Sequence, residues 1–282
     1  MNNGRYSKIE FIGSGGFARV YRAIDNWTRR TVAIKELSNP TPELLSRFKR
    51  ERDMLTIHLS NPFVLDILDS NLDGPEPYLV LEYSSLGSLQ KYVANRRDWR
   101  RIAGWLFDIA YGLSIIHERG DLFRDVKPSN MLRFKRADGS DLIKIADFGV
   151  AQRPDNPSRR MTTSVFGTKG YIDPIAQVSR NFRAASDIFS LGVTTRELLT
   201  GSRTLWNWIP GPPEFRALIA SMTDSNVDKR PSAREVVQRV QAILQAPPVP
   251  VVQEFNGKVL GWLLAGAAVL FGVRLLADGR LR

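Results

Sequence analysis

Between Leu122 and Leu132 the sequence Leu-Phe-Arg-Asp-Val-Lys-Pro-Ser-Asn-Met-Leu brings together a carboxylate (Asp125), an ammonium (Lys127) and a carboxamide (Asn130). Downstream, Ile145-Ala146-Asp147-Phe148-Gly149 adds a second carboxylate. Phosphoryl transfer from ATP needs a group to orient the attacking hydroxyl, a cation near the transferring phosphate and oxygen ligands for Mg²⁺. These residues are of those types. Upstream lies Gly13-Ser14-Gly15-Gly16-Phe17-Ala18-Arg19-Val20. Glycines let a backbone approach phosphate oxygens and offer them N–H groups. Alone, such a cluster between strands is more often a hairpin. It lacks the Gly-Lys-Ser/Thr of a Walker loop and the strand–turn–helix setting of a dinucleotide site. Val32-Ala33-Ile34-Lys35 follows, with its lysine in an apolar strand, where a buried ammonium needs partners. Glu51 is a candidate carboxylate for it, or equally a surface ion-pair residue within Arg50-Glu51-Arg52. Two polar loops between strands would not account for all four segments in this order.

The elements that must position these groups are legible from periodicity. Ile9 to Ile12, Arg19 to Ile24 and Thr31 to Lys35 alternate and are separated by turn residues, which predicts an antiparallel sheet. Pro42-Glu43 opens a helix with Leu44, Leu45, Phe48, Glu51, Leu55 and Leu59 at helical spacing. Strands are predicted at Val64 to Leu68 and Tyr78 to Tyr83, with Gly74-Pro75-Glu76-Pro77 as the turn. After Gly87 the character changes. A helix begins at Leu89 to Val93, a long apolar one runs from Ile102 to His117, and residues 185–245 read as largely helical. No internal repeat is visible.

Taken together, the chain resembles a eukaryotic-type Ser/Thr protein kinase from about residue 5 to 245. The resemblance implies an α+β, bilobal fold. A small antiparallel-sheet N-lobe with one helix would span 1–83 and a larger, mostly helical C-lobe 84–245. It also implies ATP as phosphate donor, Mg²⁺ as cofactor with Mn²⁺ as an alternative, and protein Ser/Thr hydroxyls as acceptors. Gly13, Ser14, Gly15, Gly16 and Ala18 would line the phosphates; Val20, Ala33 and Leu132 would enclose adenine. Leu81 would be the gatekeeper, with Glu82, Tyr83 and Ser84 forming the hinge. Lys35 would hold the α- and β-phosphates and pair with Glu51. Asp125 would be the catalytic base, Lys127 would contact the γ-phosphate, and Asn130 and Asp147 would hold the metal. Gly167 to Pro174 resembles the substrate-docking loop, with Thr168 bonding Asp125 and Lys127. Ser186 to Val193 resembles the buried central helix of the C-lobe, with Asp187 holding the catalytic-loop backbone. Gly170 to Pro174 and Glu197 to Gly201 also resemble the receptor-like branch of the family.

Three positions depart from the family pattern. Ala18 replaces the third glycine of the loop. Phe123 stands where a histidine usually precedes Arg124-Asp125; it would pack beneath Phe148. Pro174-Ile175 replaces Pro-Glu, so the arginine matched by Arg230 lacks its usual carboxylate. An isolated buried guanidinium is costly. The alternatives are Asp173 or Asp228 as substitute, or an exposed Arg230. The chemistry residues are all present, which disfavours the alternative reading of a pseudokinase scaffold. Arg124 implies a phosphate-binding role towards the activation segment. Thr162 and Thr163, beside Arg159 and Arg160, are the expected phosphorylation sites.

Composition narrows the remaining classes. Hydrophobic residues make up 43% and charged residues 24%, an ordinary globular composition that argues against a disordered chain. Absence of cysteine excludes disulfides and thiolate chemistry, and two histidines are too few for a histidine-rich metal site. The net charge of +11 suits anionic partners, but the arginines are dispersed, so no nucleic-acid partner is expected. Met1 to Gly4 leads into polar residues, and no secretion signal is expected. Residues 246–258 form a Pro-rich linker. Within 259–277, Val259 to Val273 carries no charge and Arg274 follows; 278–282 is a short tail. An all-round apolar helix there is expected to anchor the chain to membrane lipid with the catalytic region facing the cytoplasm, the alternative being a helix docked on that region. The terminal arginines oppose a simple crossing, so a single pass and a shallow insertion both stay open. Gly257, Gly261 and Ala265 at spacing four suit self-association.

Overall fold

The structure, a computed structural model, describes residues 4–15, 18–93, 98–149, 168–204 and 209–246. The chain divides into two units, Met1–Leu244 and Gln245–Arg282. The described elements lie in the first, apart from the last residue of the final helix.

A five-stranded antiparallel sheet comprises β1 (Tyr6–Gly15), β2 (Ala18–Asp25), β3 (Thr31–Leu37), β4 (Ile67–Asn71) and β5 (Tyr78–Glu82), in the order β1-β2-β3-β5-β4. Alternation gives the sheet two faces. Val32, Ile34, Tyr78 and Val80 pack with Tyr6 and Ala23 in a small outer core. Ala33, Leu37, Leu79 and Leu81 join the main core on the other face.

Helix α1 (Pro42–Ile57) crosses beside the sheet. Pro42 occupies its first turn, and the Thr41 side chain accepts from the Leu44 N–H at 3.2 Å. Its buried stripe is Phe48, Glu51, Met54 and Leu55, so the helix carries one carboxylate on its apolar face. The strand expected at 64–68 starts later. Val64 forms an isolated bridge to Ile145, and the Leu65 N–H donates to the Ile145 carbonyl at 2.9 Å, so this stretch is claimed by the C-terminal half instead.

That half is built on α2 (Trp99–Glu118), α3 (Pro174–Ser179), α4 (Ala184–Thr200), α5 (Pro213–Met222) and α6 (Ala233–Gln245). The residues at 89–92 form a short 3-10 turn. Of the 17 residues of α4, 13 are buried, which makes it the central helix. Gly201, at φ 75°, closes it in the left-handed conformation, its N–H on the Glu197 carbonyl at 2.7 Å. A hairpin of β6 (Met131–Lys135) and β7 (Asp141–Ile145) lies against α2. Among the described residues no helix is long and apolar enough to cross a membrane. Val259 to Val273 and residues 247–258 of the linker before it lie outside the described residues, so the expected apolar C-terminal helix has no counterpart among the described elements.

Candidate active site

On β3, Lys35 projects from the sheet face shared by Ala33 and Leu37, towards the buried stripe of α1. Its Nζ lies 2.6 Å and 2.7 Å from the two carboxylate oxygens of Glu51, and 3.1 Å from Asp147 Oδ1. Glu51 is 3% exposed. Burial alone would lower the Lys35 ammonium, but the charges of Asp147 and Glu51 outweigh it and raise its pKa. Burial pushes the Glu51 carboxyl up to about 7, against the pull of Lys35.

Asp147 reaches this pair because β7 is pinned on both sides. The Ile145 N–H donates to the Phe63 carbonyl at 2.7 Å and the Ala146 N–H to the Asn130 carbonyl at 2.8 Å. Asp147 then adopts φ 70°, an uncommon conformation for a non-glycine residue that neighbouring packing must hold. Part of that packing is Phe148, fully buried between the ring of Phe123 (5.0 Å, edge-on) and that of His58 (5.9 Å, stacked). The aromatic at 123 therefore keeps the contact beneath Phe148. Lys35, ahead of burial, is the main influence holding the Asp147 carboxyl below its usual range. Its side chain is 47% exposed, so an ionised oxygen ligand stands at the open side of the Lys35–Glu51 pair.

The segment 123–130 is shaped from below by α4. Asp187 accepts from the backbone N–H of Phe123 (3.0 Å) and of Arg124 (2.7 Å) and contacts His117 Nε2 at 2.9 Å. Thr194 donates to the Val126 carbonyl at 3.2 Å. These contacts hold Arg124 at φ 70°. The chain then presents Asp125, Lys127 and Asn130 as one network. Lys127 Nζ is 2.7 Å from Asp125 Oδ2, and Asn130 Nδ2 donates to the same oxygen at 2.8 Å and to the Asp125 carbonyl at 3.0 Å. With its amide nitrogen turned to Asp125, the carboxamide oxygen of Asn130 accepts no hydrogen bond among the described residues. Thr168 closes the network, donating to Asp125 Oδ1 at 2.9 Å and accepting from Lys127 at 2.6 Å.

Two hard oxygen donors, Asp147 and Asn130, suit Mg²⁺, which takes one or two carboxylates from protein and completes its shell with water and phosphate. Among the described residues no group of three His, Cys, Asp or Glu side chains could hold a metal ion by itself. The donor set thus fits an ion shared with a phosphate ligand.

Gly13, Ser14 and Gly15 pair with Val20, Arg19 and Ala18, so the described part of the glycine loop is the end of the antiparallel β1–β2 ladder. Its tip, including Gly16, lies outside the described residues, as do Thr162 and Thr163. Val20 and Leu132 are half-buried against the core that contains Ala33 and Leu81, and Leu81 lies opposite Ala33 across the sheet. Ser84 donates to the Arg133 carbonyl and accepts from the Gly87 N–H at 3.0 Å, fixing the chain as it leaves the sheet. The Glu82 carboxylate bonds Lys144 and accepts from the Asp66 N–H at 2.9 Å. Lys144, which also reaches Asp66 Oδ2 at 3.1 Å, was not singled out from sequence. The signal was available, since Leu142-Ile143-Lys144-Ile145 repeats the lysine-in-an-apolar-strand pattern of Val32 to Lys35.

Behind the docking loop, Asp173 answers the missing glutamate. Arg230 donates to both its oxygens, Nη1 at 2.7 Å and Nη2 at 3.0 Å, and both side chains are 1% exposed. Ser186 adds a bond to Asp173 at 3.0 Å, and Arg230 also donates to the carbonyls of Asp224 (2.8 Å) and Ala185 (3.2 Å). Burial would raise the Asp173 carboxyl; the bonds and charge of Arg230 outweigh it and hold it below the usual range. Asp228 pairs instead with Arg183 at 3.3 Å, and Ile175 faces solvent.

Comparison with known proteins agrees with this geometry. The family model described as "Protein kinase domain" matches residues 6–240. Serine/threonine-protein kinase PknA of Mycobacterium tuberculosis is 34% identical over 71% of this chain and 48% of its own length. A probable serine/threonine-protein kinase of Clostridium acetobutylicum is 31% identical over 70% of this chain and 30% of its own. Serine/threonine-protein kinase A of Synechocystis sp. is 28% identical over 87% of this chain and 55% of its own. The chain thus spans between about a third and about half of the length of these relatives.

Proposed function

The chain belongs to the protein kinase family, and from that membership we propose that it transfers the γ-phosphoryl group of ATP to serine or threonine hydroxyls of proteins. The observation that carries the reading is the closed network of Asp125, Lys127, Asn130 and Thr168, facing a Lys35 already joined to Glu51 and Asp147.

In this reading Lys35, oriented by Glu51, holds the α- and β-phosphates. Val20, Ala33 and Leu132 enclose the adenine between sheet and hairpin, with Leu81 at the back and the backbone of 82–84 along its edge. The Glu82 side chain, turned to Lys144, acts on the hinge rather than on the nucleotide. Asp147 and Asn130 would hold Mg²⁺, which when bound neutralises phosphate charge. Asp125 orients the acceptor hydroxyl and takes its proton as the new O–P bond forms and the bond to the departing ADP oxygen breaks. Lys127 stays beside the transferring phosphoryl group. Thr168 fixes both side chains and ties the docking loop to the reacting centre. Lys127, two residues after the base, is the pattern of the Ser/Thr branch.

We further propose that the chain phosphorylates itself at Thr162 or Thr163. Burial, and after it the nearby charge of Arg50, push the Arg124 guanidinium down, with Asp187 opposing. Arg124 directly precedes Asp125, the place from which an arginine can take up a phosphate carried by the segment that follows Asp147. Residues 259–277 are proposed to tether the chain to a membrane with its catalytic unit in the cytoplasm. A tether of this kind resists high salt and releases only in detergent.

The test is phosphate incorporation by the purified chain with Mg-ATP, mapped by mass spectrometry, beside Asp125→Asn. The variant should bind ATP as the parent does and lose on the order of 10²–10⁴-fold in turnover. Equal incorporation by both proteins overturns the assignment.

A further inference from the structure

Building on that reading, we propose that the surface beside the docking loop selects substrates with an anionic side chain next to the accepting hydroxyl, read by Arg203 and Lys169. Thr168 touches Asp125 and Lys127, so it marks the reacting centre. The next residue, Lys169, is exposed, and among the described residues no carboxylate lies within ion-pair distance of it. Arg203, from the loop after α4, is laid against the same backbone. Its Nη1 donates to the Lys169 carbonyl at 3.1 Å, and its guanidinium lies 5.2 Å over the Tyr171 ring. Gly170 makes this possible: a Cβ there would come within 2.4 Å of Nη1, and its φ of 95° is one that side chains rarely adopt.

Arg203 is therefore a preorganised cation rather than a freely moving surface side chain, and a preorganised group loses less on binding. It keeps capacity for a ligand. Its nearest carboxylate, Glu197, stands off at 3.7 Å and also takes the Tyr171 hydroxyl, while the Arg203 side chain stays 43% exposed. The neighbouring carboxylates that would welcome a basic substrate are engaged: Asp173 is sealed against Arg230, and Asp125 is held by Lys127, Asn130 and Thr168. A basic flanking residue would meet two cations on a chain of net charge +11, an anionic one a charge-assisted hydrogen bond. Aspartate, glutamate and a phosphorylated residue share that chemistry.

The experiment uses the full chain and serine peptides whose flanking positions are neutral, Asp/Glu, phosphoserine or Arg. Acidic peptides should exceed neutral ones by about tenfold in kcat/KM, mainly through KM, the scale of one hydrogen bond to a charged group. Arg203→Ala and Lys169→Ala should each shrink that ratio, Arg203→Lys should retain part of it, and Arg203→Glu should turn the preference towards Arg. Phosphoserine well above Asp/Glu identifies a primed substrate; equality identifies a simple acidic one; either supports the inference. If Arg203 only seats Tyr171, the variants will lower all peptides together or lower Tm while the ratio stays fixed, and the inference fails. Peptide binding to Asp125→Asn by fluorescence anisotropy separates the two levels of argument. Absence of transfer to every peptide sinks the kinase reading, and the ratio of binding constants still decides the inference.

Discussion

Two buried ion pairs flank the reacting centre, and they are built for opposite purposes. Lys35–Glu51 joins a point-charge ammonium to a carboxylate and leaves the ammonium in reach of a third, half-exposed group, Asp147. Arg230–Asp173 is bidentate, 1% exposed on both sides, and is bonded further by Ser186, the Ile175 N–H and the carbonyls of Ala185 and Asp224. The first keeps a side open to phosphate and metal; the second is closed. The partners also differ in how they respond to being left alone. Burial already pushes Glu51 up to about 7, so without its lysine it takes a proton and becomes neutral. A guanidinium cannot shed its proton in a protein, so Arg230 without Asp173 remains a buried charge.

The largest effect expected from this difference is on catalysis. Lys35→Met should cut turnover by about 10²–10³-fold, the loss seen when one preorganised cation or donor is removed from a transition state. Its Tm should fall less than that of Asp173→Asn, because Glu51 neutralises. Steady-state rates and melting curves on the same preparations decide the matter, and a Lys35→Met protein that keeps full activity but unfolds early would make the two pairs alike.

Next comes stability. Asp173→Asn should cost about 3–5 kcal/mol, the penalty for stranding one partner of a buried pair. The cost has a pH signature. The folded pKa of Asp173 lies below its unfolded value, so its contribution is fully present above the unfolded value of about 3.9 and is lost as pH falls through the folded one. Urea unfolding should therefore show parent and variant far apart at pH 7 and converging below about pH 4. Parallel curves down to pH 3 would mean that Asp173 does not carry the charge that holds Arg230.

A third, smaller effect is expected at the hinge. Lys144→Met removes the cation shared by Glu82 and Asp66 at a site only partly closed to water, so about 1–3 kcal/mol is the expected loss. Because these carboxylates are less sealed than Asp173, the loss should be smaller than for Asp173→Asn; a larger one would reverse the ranking.

The same contrast explains what was legible in the sequence. Lys35, Asp125, Asn130 and Asp147 stand at fixed places in local motifs, and a local motif dictates its own geometry. The alternation of β1 to β3 and the apolar stripe of α1 likewise report burial directly. The partner of Arg230 was not fixed, since Asp173, Asp228 and exposure were equally compatible with the spacing; only the long-range bonds of Arg230 and Ser186 to Asp173 show which carboxylate is sealed in. His58 was also missed, because its contact with Phe148 joins residues far apart in sequence and no local pattern marks it. The shift of β4 has the same origin: Val64 and Leu65 are drawn to β7 by long-range backbone bonds that the apolar run at 64–68 does not reveal.

The smallest effect is the most discriminating. Ile175→Glu restores the residue type usual at that position, and if Arg230 had an unmet need it would stabilise the protein. Arg230 has no such need: Asp173 fills both arms of its fork, and two carbonyls take further donors. Ile175 itself is 40% exposed, so replacing it removes little packing. Its N–H already donates to Asp173 Oδ1 at 3.0 Å, which fixes the start of α3 whatever the side chain. The change should therefore stay within about 0.5 kcal/mol in either direction, as for ordinary surface substitutions. Stabilisation beyond about 1 kcal/mol by urea unfolding would show that the Asp173 pairing is a partial substitute, and that the closed pair is less closed than its geometry implies.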